Sequence, residues 1–179
     1  MPRRLSALPA PLLGNLGCVS ERAALEDALT KLDLPTSNLY QLRGGDTYPV
    51  SSPGKGLDLI LQCLNPHAPE ANRLWGLHSL TLHTTRSDPA NHWTKSWPGG
   101  INPDTATAGD IVSLLAEDDD DAVLMVDSMA CFEVPGFDGR CWIVQCMFDP
   151  ARKTLLTFSL IRSGEWIHTQ WRPEKASTS

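Results

Sequence analysis

The sequence predicts an α+β fold in which a mainly antiparallel sheet carries two main helices within a single domain. Several short segments alternate apolar and polar residues, as strands with one buried face do. Turn residues join most of these segments over short distances, which favours antiparallel pairing. Two other segments repeat their apolar residues with helical spacing. We expect an N-terminal extension over residues 1–18, the domain over 19–172 and a flexible tail over 173–179.

The first helix is predicted over residues 20–32. Ser20 is a good helix-capping residue, and the carboxylate of Glu21 suits the positive end of the helix. Pro35 stops the helix, because the residue before a proline avoids helical backbone angles. The apolar residues of this helix form one stripe, which consists of Leu25, Ala28, Leu29 and Leu32.

Two strands are predicted next, over residues 57–63 and 77–84. In the first, Asp58 and Gln62 lie on the face opposite the alternating apolar residues, whereas Leu80 and Leu82 of the second point inward. A medium-length loop joins the strands, which favours an antiparallel pair. Before them, residues 39–42 form at most a short strand. The apolar face of the first strand consists of Leu57, Leu59, Leu61 and Cys63.

The second helix begins at Thr107, which forms a pair resembling a capping box with Asp110. Its predicted apolar face consists of Ile111, Leu114 and Leu115. The helix runs toward five consecutive carboxylates, which would be unfavourable at the negative end of a helix dipole. We therefore predict a loop, formed by Glu117, Asp118, Asp119, Asp120 and Asp121.

Short extended segments follow this loop, with turns at residues 135–139 and 149–153 between the later ones. The segment 140–148 is nearly all apolar, as expected of a central strand. In the segment 154–162, Leu156, Phe158 and Leu160 are predicted to share one face. Residues 165–171 are predicted as an edge strand. The four segments cover residues 122–126, 129–134, 140–148 and 154–162.

Charge is distributed unevenly along the chain. The protein carries 15 basic and 21 acidic residues, for a net charge of −6, yet no Lys or Arg lies between Lys95 and Arg140. That segment holds ten of the carboxylates, so the rest of the chain has an excess of basic residues. A field of one sign attracts a cationic partner and repels nucleic acid. The five-residue acidic loop lacks the alternating ligands and the glycine of a calcium loop. We therefore predict that this loop binds a partner. The alternative is a loop that is simply solvated.

Two tryptophans also stand out, because Trp93 and Trp97 lie in a polar segment and would be on the same side of an extended chain. Such a pair either braces a loop or forms an aromatic anchor that faces a partner. Trp142, which lies between apolar neighbours, is predicted to belong to the core.

The sequence contains no recognisable motif for catalysis, a metal or a cofactor. Four histidines fall between residues 67 and 92 without HxH or HxxxH spacing, and no serine or cysteine sits in a recognisable nucleophile elbow or next to a plausible catalytic histidine. Residues 51–56 resemble a phosphate loop but lack the Walker spacing, so we predict a tight turn. Five cysteines without a CxxC pair favour a reducing compartment. No segment approaches a membrane span, and we expect a cytoplasmic protein without a cofactor.

Several stretches together resemble a broad group of small bacterial immunity proteins encoded beside secreted toxins, including type VI secretion and polymorphic toxin systems. The order is a Gly-Leu-x-Leu strand, a second strand, a Pro-Gly turn, a short capped helix and a terminal hairpin. The Gly-x-Pro that commonly follows the helix in that group is replaced here by the approach to the acidic loop. The stretches are Gly54 to Leu61, Leu77 to His83, Trp97 to Ile101, Thr107 to Val112, Cys141 to Phe148 and Leu155 to Ile161.

The resemblance implies a protein that is not an enzyme and that binds and neutralises a cognate toxin by occluding a basic active-site or substrate-binding surface. We place the contact at residues 117–121, with Trp93 and Trp97 as candidate anchors. The resemblance transfers no catalytic residue. Two alternatives stay open: a small metal-dependent hydrolase that uses scattered histidines and carboxylates, and a secretion chaperone or adaptor for an effector.

Overall fold

A computed structural model describes residues 20–36, 47–52, 54–69, 72–115, 123–126, 128–135, 141–151 and 153–162. These residues form an α+β structure, as the sequence predicts. The helices of the described part are α1 (Arg22–Lys31) and α2 (Ala108–Leu115). Its strands are β1 (Ser20–Glu21), β2 (Thr47–Ser52), β3 (Leu57–Cys63), β4 (Leu74–His83), β5 (Val123–Val126), β6 (Met129–Pro135), β7 (Cys141–Phe148) and β8 (Leu155–Arg162).

The eight strands form one sheet in which every pairing is antiparallel. Seven of them follow the order β2-β3-β4-β8-β7-β6-β5, and the short β1 pairs with the start of β4. The sheet therefore consists of two meanders, one from β2 to β4 and one from β5 to β8, which join where β4 pairs with β8. The segment between the meanders contains a 3-10 turn at Pro98–Gly100 and helix α2.

The main core lies on the face of the sheet that packs against both helices. The predicted stripe of α1 is confirmed, since Leu25, Ala28, Leu29 and Leu32 are all buried. The alternation of β3 is also confirmed, because its leucines and Cys63 are buried while the residues between them are half-buried. Trp142 is buried, as predicted. No helix in the described ranges is long and apolar enough to cross a bilayer.

Several local predictions are wrong. The predicted start of the first helix at Ser20 is wrong, because Ser20 lies in β1 and pairs with Trp75 of β4, and α1 begins at Arg22. Leu114 of α2 is 40% exposed, so the buried side of that short helix is carried by Ile111. In β8, the inward residue is Leu155 and not Leu156. A β-bulge opposite Phe148 shifts the register at the start of the strand, whereas Phe158 and Leu160 are buried as predicted.

Other predictions fall outside the described residues. These are the N-terminal extension over 1–18, the short strand at 39–42, the acidic loop at 117–121, the edge strand at 165–171 and the tail from 173 onward.

Candidate functional site

The predicted partner-binding residues do not come together as one described surface. Glu117, Asp118, Asp119, Asp120 and Asp121 lie outside the described residues. Trp93 and Trp97 are each only 6% exposed and belong to the main core. The indole nitrogen of Trp93 donates to the backbone oxygen of Ser96 at 3.2 Å. In this structure, therefore, both rings are packed in the core, and neither is an exposed anchor.

The start of α2 accounts for one of the carboxylates of the acidic region. The backbone N–H of Thr107 donates to Oδ2 of Asp110 at 2.9 Å, and the Thr107 hydroxyl donates to the same oxygen at 2.7 Å. The backbone N–H of Asp110 donates back to the Thr107 hydroxyl at 3.3 Å. These bonds with the Thr107 backbone and hydroxyl hold the pKa of Asp110 below its usual value. The predicted capping box is confirmed, and Asp110 is committed to it.

A cleft of about 200 Å³ opens beside the C-terminal end of α1. Three segments that are distant in sequence form its wall: the end of α1, the turn before β3 and the segment after Asn91. The lining is apolar at the floor and polar at the rim. We call this the α1 cleft; it is lined by Leu32, Gly54, Lys55, Leu57, Trp93, Thr94 and Lys95.

The end of α1 is shaped by a Schellman motif. Asp33 has a left-handed backbone with φ of 58°, and the N–H groups of Asp33 and Leu34 donate to the carbonyls of Thr30 and Leu29. Lys55 then satisfies the helix end from the turn before β3. Its ammonium donates to the backbone oxygens of Leu32 and Asp33 at 3.1 and 3.0 Å, and to the Asp33 carboxylate.

These contacts explain the glycine-rich segment that resembles a phosphate loop. All three protons of the Lys55 ammonium have acceptors, and the cation lies at the negative end of the helix dipole. The hydrogen bond and charge of Lys55 lower the pKa of Asp33. The segment is thus a tight turn that delivers a helix-capping lysine, and the prediction of a turn is confirmed.

The Trp93 side of the cleft is held in place by Gly56 and His83. The backbone N–H of Gly56 donates to Oδ1 of Asn91 at 2.8 Å, and the Gly56 carbonyl accepts from the N–H of His83 at 2.9 Å. The His83 carbonyl in turn accepts from the N–H of Trp93 at 2.8 Å. The backbones of Gly56, His92 and Trp93 pack so closely that no side chain fits at residue 56.

A row of polar side chains lies on the opposite face of the sheet. The Nε2 atom of His83 is 2.7 Å from Oδ2 of Asp58, and its Nδ1 atom is 3.3 Å from the Ser87 hydroxyl. Asp58 pairs with Thr81, so His83 is its diagonal neighbour on the adjacent strand. The expectation that no serine lies beside a plausible histidine is therefore wrong in three dimensions.

Asp58, His83 and Ser87 thus follow the order carboxylate, imidazole, hydroxyl. Catalytic sites in which a histidine base activates a hydroxyl nucleophile have the same order. Acyl transfer also needs N–H donors for the oxyanion. At this turn the N–H groups of Ser87 and Asp88 both donate to the Thr84 carbonyl already. These N–H groups are therefore not available as oxyanion donors. The role that the contacts support is structural: they connect the turn after β4 to β3.

The remaining histidines and cysteines form no metal site within the described ranges, where no three His, Cys, Asp or Glu side chains come together. His78 is the extra residue of a bulge between β3 and β4, and its partial burial lowers its pKa. Burial also raises the pKa of the Cys146 thiol, with a smaller contribution from nearby Cys131. Both cysteines are buried, as is Cys63.

Sequence reasoning missed the α1 cleft and the His83 row because each depends on pairing across the fold. Lys55 is 22 and 23 residues from the groups that it caps, and Asp58 is 25 residues from His83. The signal available in the sequence was the placement of Asp58 on the polar face of a predicted hairpin. Searches of protein-family models, curated proteins and solved structures return no match to this chain.

Proposed function

We propose that this protein is an immunity protein that binds a cognate secreted toxin and neutralises it by occluding a basic surface. The observation that carries the proposal is the concentration of ten carboxylates between Lys95 and Arg140, where no basic residue occurs. The capping of α2 accounts for Asp110, but five consecutive carboxylates at 117–121 have no such local role in the sequence.

A charged cluster of this kind raises the association rate more than it raises the affinity. Like charges concentrated on one segment steer an oppositely charged protein toward it, and the gain in association rate falls as salt screens the field. If the toxin handles an anionic substrate, its substrate-binding cations are a suitable target for these carboxylates. Long residence then requires a desolvated contact in addition to charge.

The first experiment tests protection. The chain is expressed with a toxin domain encoded by the neighbouring reading frame, and growth is compared with and without it. We expect growth to be restored and a direct complex to be isolated. Failure of both with a toxic neighbour would contradict the proposal. A secretion adaptor gives a third result, because it supports export of the effector without protecting the cell.

The second experiment tests the acidic segment with variants of equal net charge. The double variant Asp119→Asn/Asp120→Asn is compared with Glu26→Gln/Asp27→Asn, which removes the same charge from α1. We expect the first pair to slow association several-fold at low salt and to weaken its salt dependence, and the second pair to have little effect. Equal effects would show that only the net charge matters.

The alternative of a small hydrolase rests on a different observation, the bond between His83 and Asp58. Metal analysis of the purified protein separates this alternative from the first, because stoichiometric zinc would favour a metal-dependent enzyme. His83→Gln would then abolish hydrolysis and leave toxin protection unchanged.

A further inference from the structure

We propose that the α1 cleft binds a small carboxylate that carries an aryl or short alkyl group. The inference goes beyond the immunity function and does not depend on it. The floor of the cleft is formed by the buried side chains of Leu32, Leu57 and Trp93. Its volume of about 200 Å³ exceeds the roughly 150 Å³ of an apolar cavity that accepts benzene. A single six-membered ring with a short chain therefore fits this floor.

The rim indicates the charge of the ligand. Lys55 is not available for recognition, because its three protons already have acceptors at the end of α1. Lys95 differs: within the described residues its exposed ammonium has no carboxylate or carbonyl partner and lies only over the Trp93 ring, 5.9 Å from the centroid. A carboxylate at the mouth of the cleft would give Lys95 an ion pair beside the aromatic wall.

A second polar group points to the same ligand. The exposed residue Thr94 lies on the rim next to Lys95, and its hydroxyl has no hydrogen-bond partner among the residues that the structure describes. It can donate to the second carboxylate oxygen. Among the described residues at the cleft, the two lysines of the lining outnumber the single carboxylate of Asp33 that pairs with Lys55, so the local charge also favours an anion.

Contacts within the protein hold the walls of the cleft in place. Trp93 is fixed through its backbone bond to His83 and its indole bond to Ser96, and Lys55 fixes the end of α1 opposite. A ligand therefore orders only the Lys95 and Thr94 side chains at the rim. A site that needs little reorganisation loses less of its binding free energy to ordering.

The test is a titration with 3-phenylpropionate, followed by the amide and indole resonances in two-dimensional NMR. The Trp93 indole N–H is assigned with a Trp93→Phe variant. For a ligand of this size we expect saturable binding with a Kd on the order of 1 mM, with shifts confined to the cleft. The neutral 3-phenylpropanamide and the ringless acetate are expected to bind more weakly than the acid.

Two variants locate the charge. Lys95→Gln keeps most of the side chain and is expected to weaken binding of the acid about two- to fivefold, the range of an exposed ion pair. Lys153→Gln removes a charge from the exposed turn before β8 and is expected to leave binding unchanged. Thr94→Phe places a ring at the rim and is expected to exclude the ligand.

The proposal is overturned if 3-phenylpropionate causes no saturable shift at about 10 mM, roughly ten times the expected Kd. It is overturned equally if the amide binds as well as the acid, or if both lysine variants weaken binding to the same extent. None of these outcomes bears on toxin protection, so the two proposals can fail separately.

Discussion

Replacement of Gly56 by alanine offers the sharpest test of how the α1 cleft is built. Gly56 has a left-handed backbone with φ of 62°. An added Cβ would lie 2.0 Å from the carbonyl carbon of His92 and 2.0 Å from the backbone nitrogen of Trp93. Both are backbone atoms, which cannot move aside as the end of a flexible side chain can. The segment 92–93 must therefore separate from the turn before β3.

The cost can be estimated from the contacts that this separation breaks. An alanine in the left-handed region costs about 1 kcal/mol. Displacement also strains the bonds from Gly56 to Asn91, from His83 to Gly56 and from Trp93 to His83. Each such bond contributes about 1 kcal/mol. We expect Gly56→Ala to lower the free energy of unfolding by about 3 to 4 kcal/mol, a large part of a typical domain's stability.

Gly54 provides a matched control two residues away. Its φ is 82°, but a Cβ there meets no atom within 4 Å. Gly54→Ala should therefore cost only the conformational term of about 1 kcal/mol. Urea unfolding followed by circular dichroism measures both variants against the parent. A difference of less than about 1 kcal/mol between them would refute the close approach of the two backbones.

Three further predictions concern the helices and pH. Ile111→Ala should lower the free energy of unfolding by about 2 to 5 kcal/mol because the side chain is fully buried, whereas Leu114→Ala should lower it by less than about 1 kcal/mol. Equal losses for the two variants in urea unfolding would contradict the orientation of α2. Lys55→Met should lower the melting temperature more than Lys31→Met, because Lys55 caps the end of α1, whereas the pair of Lys31 with Asp27 is exposed to solvent. The pKa of His78 is lower in the folded protein than its ordinary value of 6.5, so stability should fall as pH decreases through 6.5 toward the folded pKa, as the unfolded chain takes up the proton first. His78→Gln should flatten that slope in urea unfolding at several pH values, and an unchanged slope would assign it to other groups.

Much of the fold follows from short-range patterns. The alternation of residues 57–63 predicts a strand with one buried face, and the stripe from Leu25 to Leu32 predicts the buried side of α1. The bonds between Thr107 and Asp110 form within one helical turn. Each of these depends on neighbours a few residues apart, so sequence spacing is sufficient to predict it.

Local reasoning failed where a distant strand altered a local preference. Ser20 has the chemistry of a helix cap, but it pairs with Trp75 of β4 instead. The alternation in β8 predicts Leu156 on the buried face, yet the bulge opposite Phe148 places Leu155 there. Strand pairing satisfies backbone groups across the sheet, and this requirement takes precedence over a weak local signal.

The sequence by itself determined the α+β class, the buried faces of β3 and α1, and the one-sided distribution of charge. Only the tertiary structure decided that β4 lies beside β8, that His83 meets Asp58, and that Trp93 lines a cleft with Lys55 and Leu32. The reason is physical. Periodicity records which side of an element avoids water, whereas the partner that covers that side is selected by packing between segments far apart in the chain.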